Sequence, residues 1–172
     1  MASVNRSSQR VIFVLQGGGA LGAYQVGIFQ ALSEHGYEPD LIGGSSIGAI
    51  NGSIIAGNKR EDRLEKVKEF WERITTRNLD FIPDTEDLNT RRWLNYLSAQ
   101  QTLLFGQPGF FAPRINNPLF ITDAPPDEIS FYVLDPLRKT LEELIDFDRI
   151  NTGKPHLILQ SVEVSHGKPV FF

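Results

Sequence analysis

After ten mostly polar residues, taken as a flexible amino terminus over residues 1–10, the chain turns continuously apolar from Val11 to Leu15. An unbroken, β-branched-rich run of that length predicts a strand buried on both faces of a parallel sheet. Glycines from Gly17 to Gly22 break it, and a helix is expected through Ala31 and Leu32. That helix should stop at Gly36, since glycine accepts the left-handed backbone of a helix end. Asp40-Leu41-Ile42 predicts a second strand, with Gly43-Gly44 as the turn out of it. A helix of small and apolar residues then carries Ile47, Ile50 and Ile54. Strand, helix, strand, helix is the opening of an α/β fold.

Further on, Leu64, Val67, Trp71 and Ile74 recur at helical spacing, and Glu61 and Asp62 precede them where the helix dipole favours acids. A further helix is expected from Leu88 to Leu104, holding Trp93, Leu94 and Leu97. Residues 105–128 contain five prolines and two glycines among several aromatics, which predicts a long surface excursion or cap. Asp135-Pro136 has the order of an N-cap followed by a first helical residue, with Leu137, Leu141, Leu144 and Ile145 on one face. Leu157 to Val164 and Pro169 to Phe172 read as two strands joined by Ser165 to Lys168. The sequence thus stops on apolar residues, and the expectation is of a sheet continued by further chain.

Composition narrows the function classes. At 172 residues, 41% apolar and 22% charged, the chain has the make-up and length of one soluble globular domain. A net charge of -4 argues against nucleic acid as a partner. No cysteine is present, which removes disulfides, thiolate metal sites and cysteine nucleophiles. The three histidines are scattered, so neither a metal site nor a cofactor is expected. No apolar run approaches the roughly eighteen residues of a membrane span, and Val11–Leu15 is too short for a signal-peptide core. The expected location is cytoplasmic, with room for peripheral contact at a membrane.

Two motifs carry chemistry. Gly44-Ser45-Ser46-Ile47-Gly48 matches Gly-x-Ser-x-Gly between a predicted strand and a predicted helix. A nucleophile elbow needs that turn, and its glycines are required where helix and strand approach too closely for a Cβ. Ser46 would then stand at a helix N-terminus, where backbone N–H groups favour negative charge. The bland alternative is a glycine-serine turn with no chemistry. The second motif, Gly17-Gly18-Gly19-Ala20-Leu21-Gly22, has the spacing Gly-x-Gly-x-x-Gly through Gly17, Gly19 and Gly22. Alone it fits a dinucleotide-binding loop, but that loop expects an acid at the far end of the next strand. Asp40 precedes that strand and the serine elbow occupies its far end. The other reading is an oxyanion hole built from the N–H groups of Gly17, Gly18 and Gly19.

Together, Val11 to Gly57 with its two glycine motifs, and Leu157 to Phe172 with its strand pair, resemble the patatin-like phospholipase family. The resemblance implies a three-layer α/β/α sandwich with a mainly parallel sheet, of which residues 11–172 form the amino-terminal part. It implies hydrolysis of phospholipid or other acyl esters through an acyl-enzyme, by a Ser-Asp dyad. Ser46 matches the nucleophile and Gly17, Gly18 and Gly19 the oxyanion hole. The family often has a basic residue where Leu21 stands. Its dyad Asp precedes a Gly downstream of the strand pair, yet no Asp-Gly pair occurs in this sequence. Asp146 and Asp148 lie upstream and do not match, so the dyad Asp is expected outside these residues, and this chain alone is expected to be inactive. A non-catalytic module of the same fold is the alternative.

Lesser candidates have structural readings. His35 closes a helix, His156 begins a strand and His166 occupies a turn. Arg91, Arg92 and Trp93 could meet a lipid surface but equally form a helix face. Phe105, Phe110 and Phe111 could be a flap over an acyl chain, or ordinary packing.

Overall fold

The computed structural model describes residues 10–75, 86–114 and 129–172. Residues 1–9 of the expected flexible terminus and 115–128 of the expected cap lie outside these. The elements are β1 (Ile12–Leu15), α1 (Ala23–Glu34), β2 (Leu41–Ser45), α2 (Ile47–Ala56), α3 (Arg63–Thr75), α4 (Leu88–Phe105), β3 (Ala112–Pro113), β4 (Tyr132–Val133), α5 (Asp135–Leu144), α6 (Phe147–Thr152), β5 (His156–Glu163) and β6 (Lys168–Phe171). They fall into two compact units, Met1–Glu69 with Leu144–Phe172, and Phe70–Glu143.

The first unit is an α/β structure around a four-stranded sheet of order β1-β2-β5-β6. β1, β2 and β5 run parallel and β6 returns antiparallel to β5. The register aligns Val14 with Gly43 and Gly43 with Ile158, and likewise Leu15 with Gly44 and Gly44 with Leu159. Because side chains alternate across a strand, Phe13, Leu15, Ile42 and Leu157 share one face. Phe13 meets Phe29 of α1 edge-on at 6.1 Å, and α2 packs over Ile42 with the buried Ile54 and Ile55.

The expectation of a first strand buried on both faces does not hold. Ile12 is 57% and Val14 80% exposed, as are Val162 and Phe171 in good part. Face coverage is the reason: α1 and α2 cover the Phe13 and Ile42 face, whereas the opposite face is exposed even on the inner strand β5, at Ile158 and Val162. A second correction concerns Gly43 and Gly44, which continue β2 and are not a turn leaving it. The corner comes two residues after Gly44, at Ser46.

Two polar clusters tie the unit together. The Asp40 carboxylate accepts from the Val11 N–H at 2.9 Å, while its carbonyl accepts from the His156 N–H at 3.0 Å. Asp40 is therefore the clamp that aligns the starts of β1, β2 and β5. Arg63, only 5% exposed, donates to Glu38 at 3.0 Å and to the carbonyls of Lys154 at 2.8 Å and Asn58 at 3.3 Å. Burial holds its guanidinium below the usual arginine range, against the opposing pull of Glu38.

The second unit packs aromatics. Phe70, Trp71 and Ile74 of α3 are buried. Phe110 lies 6.3 Å from Phe70 and 5.9 Å from Phe111, which meets Tyr132 at 4.8 Å. The Thr140 hydroxyl, 2.9 Å from both carbonyls, donates to Gly109 and Pro136. In α4 the Asp87 carboxylate caps the helix by accepting from the Thr90 N–H at 2.7 Å.

Candidate active site

Ser46 stands at the corner between β2 and α2 with φ 53° and ψ −126°. Among the described residues other than glycine it is the one with positive φ. That backbone is sparsely populated for an L residue and is held only when its surroundings over-determine it. The surroundings do so through the two flanking glycines. A Cβ on Gly44 would lie 2.6 Å from the Gly48 carbonyl oxygen and 2.7 Å from the Ala49 Cα. A Cβ on Gly48 would lie 2.1 Å from the Leu15 carbonyl oxygen. The first turn of α2 thus presses directly on the end of β1 and the end of β2, and the chain can turn between them in one way.

The serine does not behave as an ordinary cap. A capping serine has extended backbone and lends its hydroxyl to an N–H of the first turn. Ser46 has neither: its side chain makes no capping bond, and it is exposed. Its carbonyl accepts from Ala49 N–H at 2.9 Å and Ile50 N–H at 3.3 Å, so α2 begins immediately after it. The hydroxyl is left at the positive end of a helix whose first N–H groups have no intrahelical partner.

The glycine segment lies beside it. A Cβ on Gly17 would sit 3.1 Å from the Ser46 Cβ and 3.7 Å from its Oγ, so the Gly17 backbone lines the serine. Gly18 and Gly19 follow with φ 151° and 56°, and a 3₁₀ turn from Gly19 to Gly22 leads into α1. Positive φ at two successive positions favours glycine. A hollow of about 370 Å³ opens alongside, lined in part by Gln16, Gly17, Ser45, Gln160 and Phe171. A groove of about 490 Å³ runs between β1 and α1 from Gly17 past Leu21, Tyr24 and Ile28.

A family model for patatin-like phospholipases matches residues 13–169, nearly the whole chain. The chain belongs to the patatin-like phospholipase family. It is similar to patatin-like phospholipase domain-containing protein 7 of Rattus norvegicus, 42% identical over 67 residues that cover 38% of this chain and 5% of that protein. Patatin-like phospholipase domain-containing protein 6 of Homo sapiens is 35% identical over 74 residues, 43% of this chain and 5% of that protein. An uncharacterized NTE family protein of Mycobacterium tuberculosis is 39% identical over 74 residues, 43% of this chain and 21% of that protein. The chain therefore spans only a small part of the length of these relatives. No solved structure matches it.

Other residues considered from the sequence lie in ordinary surroundings. His35 closes α1 with Nδ1 2.7 Å from the Ala31 carbonyl. His166 is in the turn before β6, 3.1 Å from Glu163. Asp146 caps α6 by accepting from the Arg149 N–H at 3.0 Å, and Asp148 lies in the first turn of that helix. Phe110 and Phe111 are part of the ring packing of the second unit, whereas Phe105 is largely exposed. Arg91, Arg92 and Trp93 lie on an exposed face of α4, with Trp93 stacked on Tyr96 at 5.8 Å. No helix among the described residues is long and apolar enough to cross a membrane. Among them, no cluster of three histidine, aspartate or glutamate side chains could hold a metal ion.

Sequence reasoning passed over Asn51 and Gln25. Asn51 is 1% exposed, and its amide donates to the Gly22 carbonyl at 3.0 Å and to the Gln25 side chain at 2.9 Å. Gln25 in turn donates to the Gln16 carbonyl at 2.8 Å. The available signal was a lone amide in the otherwise small and apolar sequence of α2.

Proposed function

We propose that the chain carries the nucleophile and oxyanion hole of a lipid acyl hydrolase, with Ser46 attacking a carboxylic ester of a phospholipid or another acyl lipid. One observation carries the proposal: an exposed serine on strained backbone, aligned with a helix N-terminus and excluded from capping, with a glycine segment against its side chain. A turn serving only to connect β2 to α2 has no need of that strain.

In the proposed reaction Ser46 Oγ bonds to the ester carbonyl carbon and its proton passes to a general base. The carbonyl oxygen becomes an oxyanion, stabilised by N–H groups of Gly17, Gly18 and Gly19 and by the α2 terminus. Collapse breaks the ester C–O bond, and the leaving alcohol takes up the proton. Water, deprotonated by the same base, then attacks the acyl carbon, the acyl C–Oγ bond breaks, and Ser46 Oγ takes the proton back from the base as the fatty acid leaves. The base is proposed to be the family's aspartate, which none of these residues matches, so histidine has no part in the scheme. The groove beside Gly17, with Val14, Leu21 and Ile28 along it, offers apolar surface to an acyl chain.

The test is hydrolysis of a short-chain chromogenic ester and of phospholipid vesicles by the intact protein. Turnover should vanish in Ser46→Ala and largely survive in Ser45→Ala, since only the neighbouring hydroxyl sits at the corner. Equal turnover by Ser46→Ala and the native protein would remove the basis of the proposal.

A further inference from the structure

The loop from Gln16 to Gly22 has three successive glycines and few side chains with which to anchor itself. Glycine loses more conformational freedom on ordering than any other residue, so such a loop samples many arrangements unless something outside holds it. An oxyanion hole works only when its donors are fixed before the reaction, and a misplacement of about 1 Å can lower a rate about a hundredfold. Something must therefore lock this loop to the helix that carries Ser46.

The hydrogen bonds supply that lock. Asn51 lies on α2, five positions after Ser46, and is buried among apolar neighbours. A buried amide is costly without partners, and both of the donations found for it point toward the loop. One goes to the carbonyl of Gly22, where the loop ends. The other goes to Gln25, whose own amide donates to the carbonyl of Gln16, where the loop begins. Both ends of the glycine segment are thus referred to one side chain on α2. The intervening Gly17 lies against Ser46 itself.

We infer that Asn51 and Gln25 are positioning residues, which hold the Gln16–Gly22 loop in register with Ser46 so that its N–H groups meet the developing oxyanion. The inference rests on the reading of Ser46 as nucleophile given above. Neither residue touches substrate; each acts through the loop backbone. The consequence is a selective one: loosening the relay weakens stabilisation of the tetrahedral state and leaves ground-state binding of the ester almost unchanged.

The experiment compares native protein with Gln25→Glu, Gln25→Ala and Asn51→Asp, each in the intact protein. Readouts are kcat and KM for a short-chain ester, the rate of Ser46 labelling by a fluorophosphonate, and the melting temperature. Gln25→Glu is the decisive variant. Its carboxylate still accepts from Asn51 but cannot donate to Gln16, and its partly exposed position makes loss of folding no obstacle. The expected result is a fall of about tenfold or more in kcat and in labelling rate, with KM within about twofold and melting unchanged. Combining Gln25→Ala with Asn51→Asp should add little to the larger single effect, since both act on one loop. Native kcat and labelling rate in Gln25→Glu, with Ser46 labelled normally in the native protein, would overturn this inference alone. Failure of the native protein to label at Ser46 would overturn the nucleophile reading and this inference with it.

Discussion

Replacing Gly48 by Ala tests the packing that forces the Ser46 corner. The new methyl group would stand 2.1 Å from the Leu15 carbonyl oxygen, 2.5 Å from its carbon and 2.7 Å from the Gln16 carbonyl oxygen. All three atoms are backbone, so no side chain can rotate away, and relief requires α2 to move off the end of β1. Overpacking of this kind costs about 3 kcal/mol or more when the surroundings are rigid. Alanine recovers about 1 kcal/mol through its better helix propensity. A net loss of about 2 kcal/mol remains, which for a chain of this length lowers the melting temperature by about 4–8 °C. Gly27→Ala is the matched control. It lies within α1 with nothing within 4 Å of the added methyl group, so the same substitution should stabilise by about 0.5–1 kcal/mol. Thermal melts followed by circular dichroism on the three proteins decide the matter. A Gly48→Ala variant that melts at or above the native temperature would refute the claim that the contact between α2 and β1 excludes a Cβ.

Other outcomes follow from the same geometry. Arg63→Met should destabilise the protein by about 2–3 kcal/mol in urea titration, by leaving Glu38 and the Lys154 carbonyl without their buried donor. Arg60→Ala, which removes a largely exposed partner of the same Glu38, should cost less than about 1 kcal/mol. The Thr90 hydrogen bond holds the Asp87 carboxyl below its usual range. Its support of α4 is therefore complete above about pH 3.9, the unfolded value, and is lost as pH falls through the lower folded value. Amide exchange at Thr90 should quicken in that acid window, and Asp87→Asn should abolish the pH dependence while keeping a cap. His156→Ala and His166→Ala should each lower ester hydrolysis by far less than the hundredfold expected for a lost general base. A collapse in either, with folding intact, would point to a histidine-dependent triad.

The local signals were legible where chemistry and geometry are local. The Val11–Leu15 run, the helical spacing of Leu64, Val67, Trp71 and Ile74, and the pair of strands around Ser165–Lys168 appear as strands and helix close to the expected bounds. The two glycine motifs could be placed at strand-to-helix turns because steric need for glycine is a property of a few neighbouring residues. What depends on which face of the sheet is covered could not be read in this way. Among the described residues α1 and α2 cover one face alone, so the apolar run of β1 does not report burial on both, and Ile12 and Val14 are exposed. Gly43 and Gly44 look like a turn in sequence, yet both continue the strand, and at Gly44 the close packing of Ala49 makes glycine a requirement. The six-residue helix α6 is too short to show periodicity, and its start is set by the Asp146 carboxylate, which accepts from the Arg149 N–H. Asn51 was missed because its partners, Gly22 and Gln25, lie in another element.

The central claim is that Ser46, and no other residue, is the nucleophile. Its most direct test is to treat the intact protein with a fluorophosphonate and locate the adduct by peptide mass spectrometry. The account predicts a single adduct on the peptide holding Gly44 to Gly48, assigned to Ser46 and not Ser45, and absent from Ser46→Ala. An adduct that persists in Ser46→Ala, or that maps to another residue in the native protein, would contradict it.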